Sequence, residues 1–267
     1  MVREFFTSRA DGNLALHVGD DPEVVSRNRA TLASRLALPE NNVKYMNQVH
    51  GNHVEVVDKN SQIVTADALF TRERDIALVV LVADCIPILL HSRNAIAAAH
   101  VGRQGLIKGI LNNVVNHFHQ LGEREIHATI GPAICASCYE VAPEMYREVV
   151  ADFPACATNE KLHSLDLLAG AQAQLKSHNV TMKTLNKCTR ESSDLYSHRA
   201  DSKAGRFAGV ISLHSIDFSN QKSSIGYWLA KEARGKGIGT VAAELITEYG
   251  LMTMGFRRID ALVVVDN

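Results

Sequence analysis

Three residues with metal-binding or nucleophilic side chains stand beside apolar segments that read as buried strands. Asp84-Cys85 separates two apolar runs, His100 closes the segment Ala95–Ala99, and His50 lies in Asn47-Gln-Val-His-Gly51. Open α/β sheets place their ligands at strand ends that face a crevice, so these positions suit chemistry. One cysteine and two histidines can form an open zinc site that leaves a fourth position for water or substrate. Cys85 as nucleophile with His100 as its base is no better and no worse supported by spacing. Inert filling is the plainest reading of all, because the intervals match no compact metal motif. Arginine is the second theme. Arg9, Arg103, Arg190, Arg199 and Arg206 all lie within two residues of glycine, serine or threonine, in expected loops. Guanidinium groups suit phosphate, which accepts paired hydrogen bonds, although solvated loop charge explains any single one of them. Cys135-Ala-Ser-Cys138 has a redox or metal spacing but lacks a second such pair, and reads as a structural loop.

The elements that must position these residues follow from periodicity. The opening reads as strands with a turn near Arg9–Gly12. Asp21 caps a helix that starts at Pro22, shows Val25, Leu32 and Leu36 on one face, and ends before Pro39. Val54–Val57 and the broadly alternating Ile63–Phe70 predict strands. Ile76–Val82 is a continuous branched apolar run, as for a strand covered on both faces, and Ile86–Leu90 and Ala95–Ala99 predict two more. Leu106 to Leu121 repeats at helical spacing until Gly122. A strand over Ile126–Ile130, a loop over Gly131–Cys138, and helices over Pro143–Val150 and Leu167–Lys176 complete a mixed α/β layered domain, residues 1–209. Beyond it, residues 210–267 predict a strand (Ile225–Leu229), a glycine-rich turn (Arg234–Gly239), a helix (Val241–Met254) and a strand (Ile259–Val265).

Composition excludes more than it selects. Among 267 residues, 46% are apolar and 21% charged, enough for a buried core, and the net charge of −1 lacks the basic field of a nucleic-acid or membrane-surface binder. No apolar run has the length of a spanning helix, and the N-terminus lacks a signal-peptide design, so a cytoplasmic protein is expected. The five cysteines are odd in number and irregularly spaced, which suits a reducing compartment rather than a disulfide framework.

A series of short segments, in one order, resembles the laccase-domain or YfiH family, formerly called polyphenol oxidases. It runs through Phe6-Thr-Ser-Arg9, His17-Val-Gly-Asp-Asp-Pro22, Asn28-Arg29, Asn47-Gln-Val-His-Gly51 and Thr65-Ala-Asp-Ala68. It continues with Ala83-Asp-Cys-Ile-Pro87, Ala98-Ala-His-Val-Gly102, Ile130-Gly-Pro132, Cys138-Tyr-Glu-Val141, Cys188-Thr189, Ser197-His-Arg199 and Gly205-Arg206. The resemblance implies an α+β fold, a layered α/β/β/α sandwich, and phosphorolysis of purine nucleosides. Adenosine, inosine, guanosine and methylthioadenosine would yield free base and ribose 1-phosphate, and adenosine would also be deaminated. It implies zinc at His50, Cys85 and His100; zinc lowers the pKa of water toward neutrality and so provides a nucleophile for the purine C6. Arg9 and Arg199 are then candidates for the phosphate, with Arg103 and Arg206 behind them. Asp84 would orient a histidine or shuttle a proton. The family commonly carries a tryptophan–arginine pair after the zinc histidine and glycine, whereas this chain has Arg103-Gln104. A copper oxidase is poorly served, for no compact blue-copper loop with an axial methionine is present.

The tail resembles the middle of a GNAT acetyltransferase, through Gly209–Asp217, Ile225-Gly-Tyr-Trp-Leu-Ala230 and Arg234-Gly-Lys-Gly-Ile-Gly239. In that fold the loop carrying Arg234, Gly235, Gly237 and Gly239 would hold the pyrophosphate of acetyl-CoA. The first strands and the C-terminal part of such an enzyme are missing, so a vestigial loop without acetyltransferase activity is expected. The apolar residues Trp228, Val241, Leu245 and Ile246 would be covered by the first domain or by a second copy of the chain, making a homodimer. The alternatives to a nucleoside phosphorylase are thus a cysteine hydrolase using Cys85 and His100, or a CoA-dependent acetyltransferase.

Overall fold

A computed structural model describes residues 2–158, 163–200, 209–217, 219–229 and 237–261. The chain divides into two compact units, Met1–Ala204 and Gly205–Asn267.

The first unit is built on a six-stranded mixed sheet in the order β10-β9-β7-β8-β5-β3. These are β3 (Val54–Val56), β5 (Ala68–Thr71), β7 (Ile86–His91), β8 (Ile96–Val101), β9 (His127–Ile130) and β10 (Thr181–Thr184). Two two-stranded pairs join β1 (Val43–Lys44) to β6 (Ala77–Leu78) and β2 (Met46–Asn47) to β4 (Val64–Thr65). The helices are α1 (Pro22–Leu36), α2 (Arg103–Ile107), α3 (Ile110–Gln120), α4 (Pro143–Asp152) and α5 (Leu167–Ser177). Alternation along the strands sends Phe70, Ile86, Ile88, Leu90, Ala97, Ala99 and Ile130 into one core with Leu106, Leu111, Val115, Phe118 and Leu175 of the helices. Leu69 points the other way, into a smaller cluster with Met46, Val57 and Ala66. The α+β class expected from the sequence holds.

Four local expectations fail, each for a physical reason. Residues 2–8 form no strand; the segment passes into a 3-10 turn, Arg9–Asp11, closed by a capping box between Ser8 and Asp11. Ile63–Phe70 is not one strand, because Ala66-Asp67 breaks it into β4 and β5, which belong to different sheets. Ile76–Val82 is apolar on both faces as read, yet only Ala77–Leu78 pairs as a strand. Leu78 and Val80 pack on one small cluster while Ala77, Val79 and Leu81 pack on another. The Gln48 side chain takes the place of a neighbouring strand, accepting from the Leu81 N–H at 2.8 Å and donating to its carbonyl at 2.7 Å. Finally, the Leu106–Leu121 helix is two helices. Gly109, at φ 78°, takes a left-handed conformation that a helix interior does not admit, and α3 starts afresh after it.

In the second unit β11 (Gly209–Asp217) pairs antiparallel with β12 (Lys222–Leu229), which pairs in parallel with β13 (Arg258–Ala261). Helix α6 (Ile238–Glu248) starts after Gly237, at φ 75°, and runs into a π turn at Tyr249–Thr253. Val241 and Leu245 are 55% and 62% exposed. Arg206, Arg234 and Gly235 lie outside the described residues, as do residues 262–265 of the last expected strand. Among the described residues no helix is long and apolar enough to cross a membrane.

Candidate metal centre and its arginine rim

The sheet register brings His50, Cys85 and His100 together. Strands β7 and β8 run antiparallel with Pro87 opposite His100 and Ile86 opposite Val101, so Cys85, one residue before β7, lies beside the end of β8. Asp67 immediately precedes β5, whose Ala68 faces Ala99, and its carbonyl accepts from the His100 N–H at 2.7 Å. His50 arrives from the β2–β3 loop in a left-handed conformation, φ 57°. One ligand atom from each of the three residues lies within 4.8 Å of the others.

Asp67 organises this centre from beneath. Its carboxylate is fully buried. Oδ1 accepts from His100 Nδ1 at 2.8 Å and from the His50 N–H at 2.9 Å. Oδ2 accepts from the Gly51 N–H at 2.6 Å and the Val49 N–H at 3.2 Å. One side chain therefore fixes the imidazole of one candidate ligand and the backbone of the loop that carries another. With Nδ1 engaged, His100 presents Nε2 as its ligating atom, the usual carboxylate–histidine arrangement of metal centres. Cys85 Sγ stands 3.8 Å from His50 Nε2, against about 3.6 Å for sulfur and nitrogen on two corners of a zinc tetrahedron. Gly102 makes the approach feasible, since a Cβ there would lie 2.9 Å from His50 Cδ2 and 3.1 Å from Cys85 Sγ.

The electrostatics agree with a cation at this point. Burial pushes the Cys85 thiol up, but hydrogen bonds and charge from His100 and His50 outweigh it and bring it down to about 7. Burial pushes His100 down, and its bonds to Asp67 and Cys85 overcome this and raise it to about 9. Both shifts increase thiolate and imidazolium character, and a bound cation would replace the proton between the two side chains. His100 is 3% exposed while His50 is open to solvent, so the centre is closed beneath and open at one side.

Asp84, expected to orient a histidine or carry a proton, is engaged elsewhere. Its Oδ1 accepts from Thr189 Oγ1 at 2.7 Å and Ser197 Oγ at 2.6 Å, and its Oδ2 from the Arg199 N–H at 2.8 Å. The carboxylate hydrogen-bonded to His100 is that of Asp67. Asp84, the residue next to Cys85, instead clamps the 189–199 segment from a strained positive-φ conformation of 94° that these bonds support.

The clamp delivers Arg199, whose guanidinium carbon lies 4.6 Å over the Tyr139 ring. Burial raises the Tyr139 phenol; the charges of Arg103 and Arg199 oppose this, Cys85 adds to it, and Arg103 also hydrogen-bonds to it. Tyr139 therefore sits among both arginines and the candidate metal ligand. Arg9 is placed differently. Its Nε donates to the Leu195 carbonyl at 2.8 Å and its guanidinium stacks on Tyr196 at 4.6 Å. It lines a cavity of about 1730 Å³ between the N-terminal segment and the sheet, and none of His50, Cys85, His100, Arg103 or Arg199 lines that cavity. Sequence reasoning assigned no role to Asp67 or Tyr139. A charge breaking the alternation of Ile63–Phe70 was the signal for Asp67, and Tyr139 was marked only by its place in the family-like segment Cys138-Tyr-Glu-Val141.

Comparison with known proteins agrees with this architecture. The profile of the family described as multi-copper polyphenol oxidoreductase laccase matches residues 5–214, and that of the acetyltransferase (GNAT) domain matches residues 166–267. A purine nucleoside phosphorylase of Corynebacterium glutamicum is 41% identical over 87% of this chain and 96% of its own length. One from Streptomyces coelicolor is 43% identical over 74% of this chain and 86% of its own. A crystal structure of a Neisseria meningitidis protein of the DUF152 family superposes with a TM-score of 0.64 at 33% identity, covering 72% of this chain and 81% of that one. With that profile spanning most of its length, the chain belongs to the laccase-like YfiH (DUF152) family.

Proposed function

We propose that the chain is a zinc-dependent purine nucleoside phosphorylase, with zinc on His50, Cys85 and His100. It would act on adenosine, inosine, guanosine and methylthioadenosine with inorganic phosphate, and deaminate adenosine as a second activity. The observation that carries this reading is the juxtaposition of a metal-type donor set with Tyr139 and two arginines. The relatives named purine nucleoside phosphorylase support it.

In phosphorolysis a phosphate oxygen bonds to the sugar C1′, the C1′–N9 bond breaks, and its electron pair leaves with the base, which takes up a proton. Arg103 and Arg199 hold the phosphate and offset its charge as it approaches C1′. Tyr139 keeps the Arg199 guanidinium in place. Arg9 anchors Leu195-Tyr196 and Asp84 anchors Ser197 and Arg199, so both act by positioning the phosphate-binding segment. Arg206 is assigned to the same anion through the family motif. Bound zinc supplies a Lewis acid and lowers the pKa of water, which suits deamination. The donor set has no axial methionine of the blue-copper kind, and zinc is the better match to two histidines and a thiolate.

Product analysis with adenosine, with and without phosphate, tests the proposal on protein of known metal content. Adenine and ribose 1-phosphate are expected, with inosine or hypoxanthine as slower products. Arg199→Ala is expected to raise the KM for phosphate more than that for nucleoside. Adenine release indifferent to phosphate would mean hydrolysis and refute it. The depressed Cys85 thiol beside His100 favours one second reading, a cysteine hydrolase. That enzyme would keep its activity after chelation of metal, and a zinc enzyme would lose it.

A further inference from the structure

The fold supplies the partner that Cys135-Ala-Ser-Cys138 lacks in the sequence. Cys188-Thr-Arg-Glu191 repeats the same spacing, a ligand-type residue and another three positions on. Ala133 and Cys188 form a parallel bridge, with the Thr189 N–H donating to the Ala133 carbonyl at 3.1 Å, which sets the two segments side by side. The four side chains then converge, with their ligand atoms all within 4.8 Å of one another. None of these residues belongs to the His50, Cys85, His100 centre, and no disulfide joins the cysteines.

We propose that Cys135, Cys138, Cys188 and Glu191 form a second, structural zinc site. The geometry is close to what zinc requires. Glu191 Oε1 stands 3.4 Å from Cys138 Sγ and 3.8 Å from Cys135 Sγ. Sulfur and oxygen on adjacent corners of a zinc tetrahedron are about 3.6 Å apart, and two sulfurs about 3.8 Å, so a small contraction of the cluster suffices. Four protein ligands close the coordination shell, which marks a structural rather than a catalytic site. Outer contacts of the kind that steady such centres are already present. The Cys135 N–H points at Cys188 Sγ at 3.4 Å, and Arg190 Nη1 donates to the Cys138 carbonyl at 3.1 Å. On binding, each ligating thiol gives up its proton to solvent and no electron changes hands.

The site would tie the Gly131–Tyr139 loop to the segment that continues through Thr189, Ser197 and Arg199. Those are the two segments that meet at Asp84 and Tyr139, so the second ion would set the spacing of the arginine rim. The proposal stands independently of phosphorolysis, since it concerns metal content alone.

Elemental analysis of the untagged full chain, purified under reducing conditions and supplied with zinc, is the test. About two zinc ions per chain are expected, about one in Cys85→Ser, and about one in Cys138→Ser. Glu191→Gln keeps every thiol and avoids a folding defect in the cysteine variant; its second zinc should pass to a competing chelator about ten-fold faster or more. Cobalt in the Cys85→Ser chain should show thiolate-to-cobalt charge-transfer absorption. A metal-free Cys85→Ser chain would overturn the proposal. So would a Cys135–Cys138 disulfide persisting under those conditions, or unaltered zinc retention in Glu191→Gln.

Discussion

Replacing Asp67 by asparagine removes a charge and one acceptor from a fully buried position where four donors converge. The amide has one carbonyl oxygen, so it can satisfy His100 Nδ1 with the His50 N–H, or the N–H groups of Gly51 and Val49, but not both pairs. The other pair would face an NH₂ group, donor against donor. Stranding two buried donors of a charged acceptor costs about 3–5 kcal/mol, the range for breaking a buried charged contact. Urea denaturation at pH 7 should show that loss as a shift in midpoint without a change in slope. The effect on metal is separable. An outer carboxylate of this kind is worth about 10–100-fold in affinity, and Asp67 also holds the loop of His50, so the upper half of that range is expected. Chelator competition on folded Asp67→Asn protein, against Asp84→Asn as comparison, measures it. Asp84→Asn should weaken phosphate use while altering zinc affinity far less. Zinc affinity in Asp67→Asn within two-fold of the parent would refute the argument that this carboxylate builds the centre.

Other outcomes follow from single contacts. Gly102→Ala, at an ordinary φ of −87°, should push His50 and Cys85 apart and lower zinc affinity more than ten-fold, read by chelator competition, with little loss of melting temperature. Glu4 accepts from Thr129 Oγ1 at 2.6 Å and pairs with Lys183 at 2.7 Å. Burial pushes its carboxyl up, but these two partners, with the charge of His91, outweigh it and hold it below the usual glutamate value. A depressed folded value means that the stabilisation is present above the unfolded value and is lost as pH falls through the folded one. Glu4→Gln should therefore cost about 1 kcal/mol at pH 7, discounted for the exposed Lys183, and almost nothing near pH 2, by urea titration at each pH. For the second unit, calorimetric titration with acetyl-CoA should show no micromolar binding; such binding, abolished by Gly237→Glu, would restore the acetyltransferase reading.

The residues at strand ends were legible because their setting was local. Cys85 and His100 each adjoin a strand whose apolar run the sequence displays, and antiparallel pairing of neighbours then puts them side by side. Helices α1, α4 and α5 were legible for the same reason, through capping and periodicity. What stayed hidden depends on distant partners. Asp67 reads as a polar interruption until β5 is laid against β8. Cys188 and Glu191 are loop residues until the Ala133 bridge sets them beside Cys135. Ile76–Val82 misled because apolar cover on both faces signals burial between layers, and two small clusters provide that cover as well as two sheets do.

The Asp84 clamp spans 105 residues to Thr189, 113 to Ser197 and 115 to Arg199. At ribosomal speeds of about 5–20 residues per second, roughly 6–23 s separate synthesis of Asp84 from that of Arg199. Throughout that interval the neighbouring thiol is on a nascent chain whose later clamp has not been made. Strands β7 and β8 are translated in succession, so Cys85 and His100 can pair before residues 189–199 are made, and His50 and Asp67 precede them. The candidate metal ligands and Arg103 are therefore made first, and Arg199, with the segment that carries it, comes last. Ion capture during translation would protect the thiol from oxidation over those seconds, and catalytic competence would come only with the last loop.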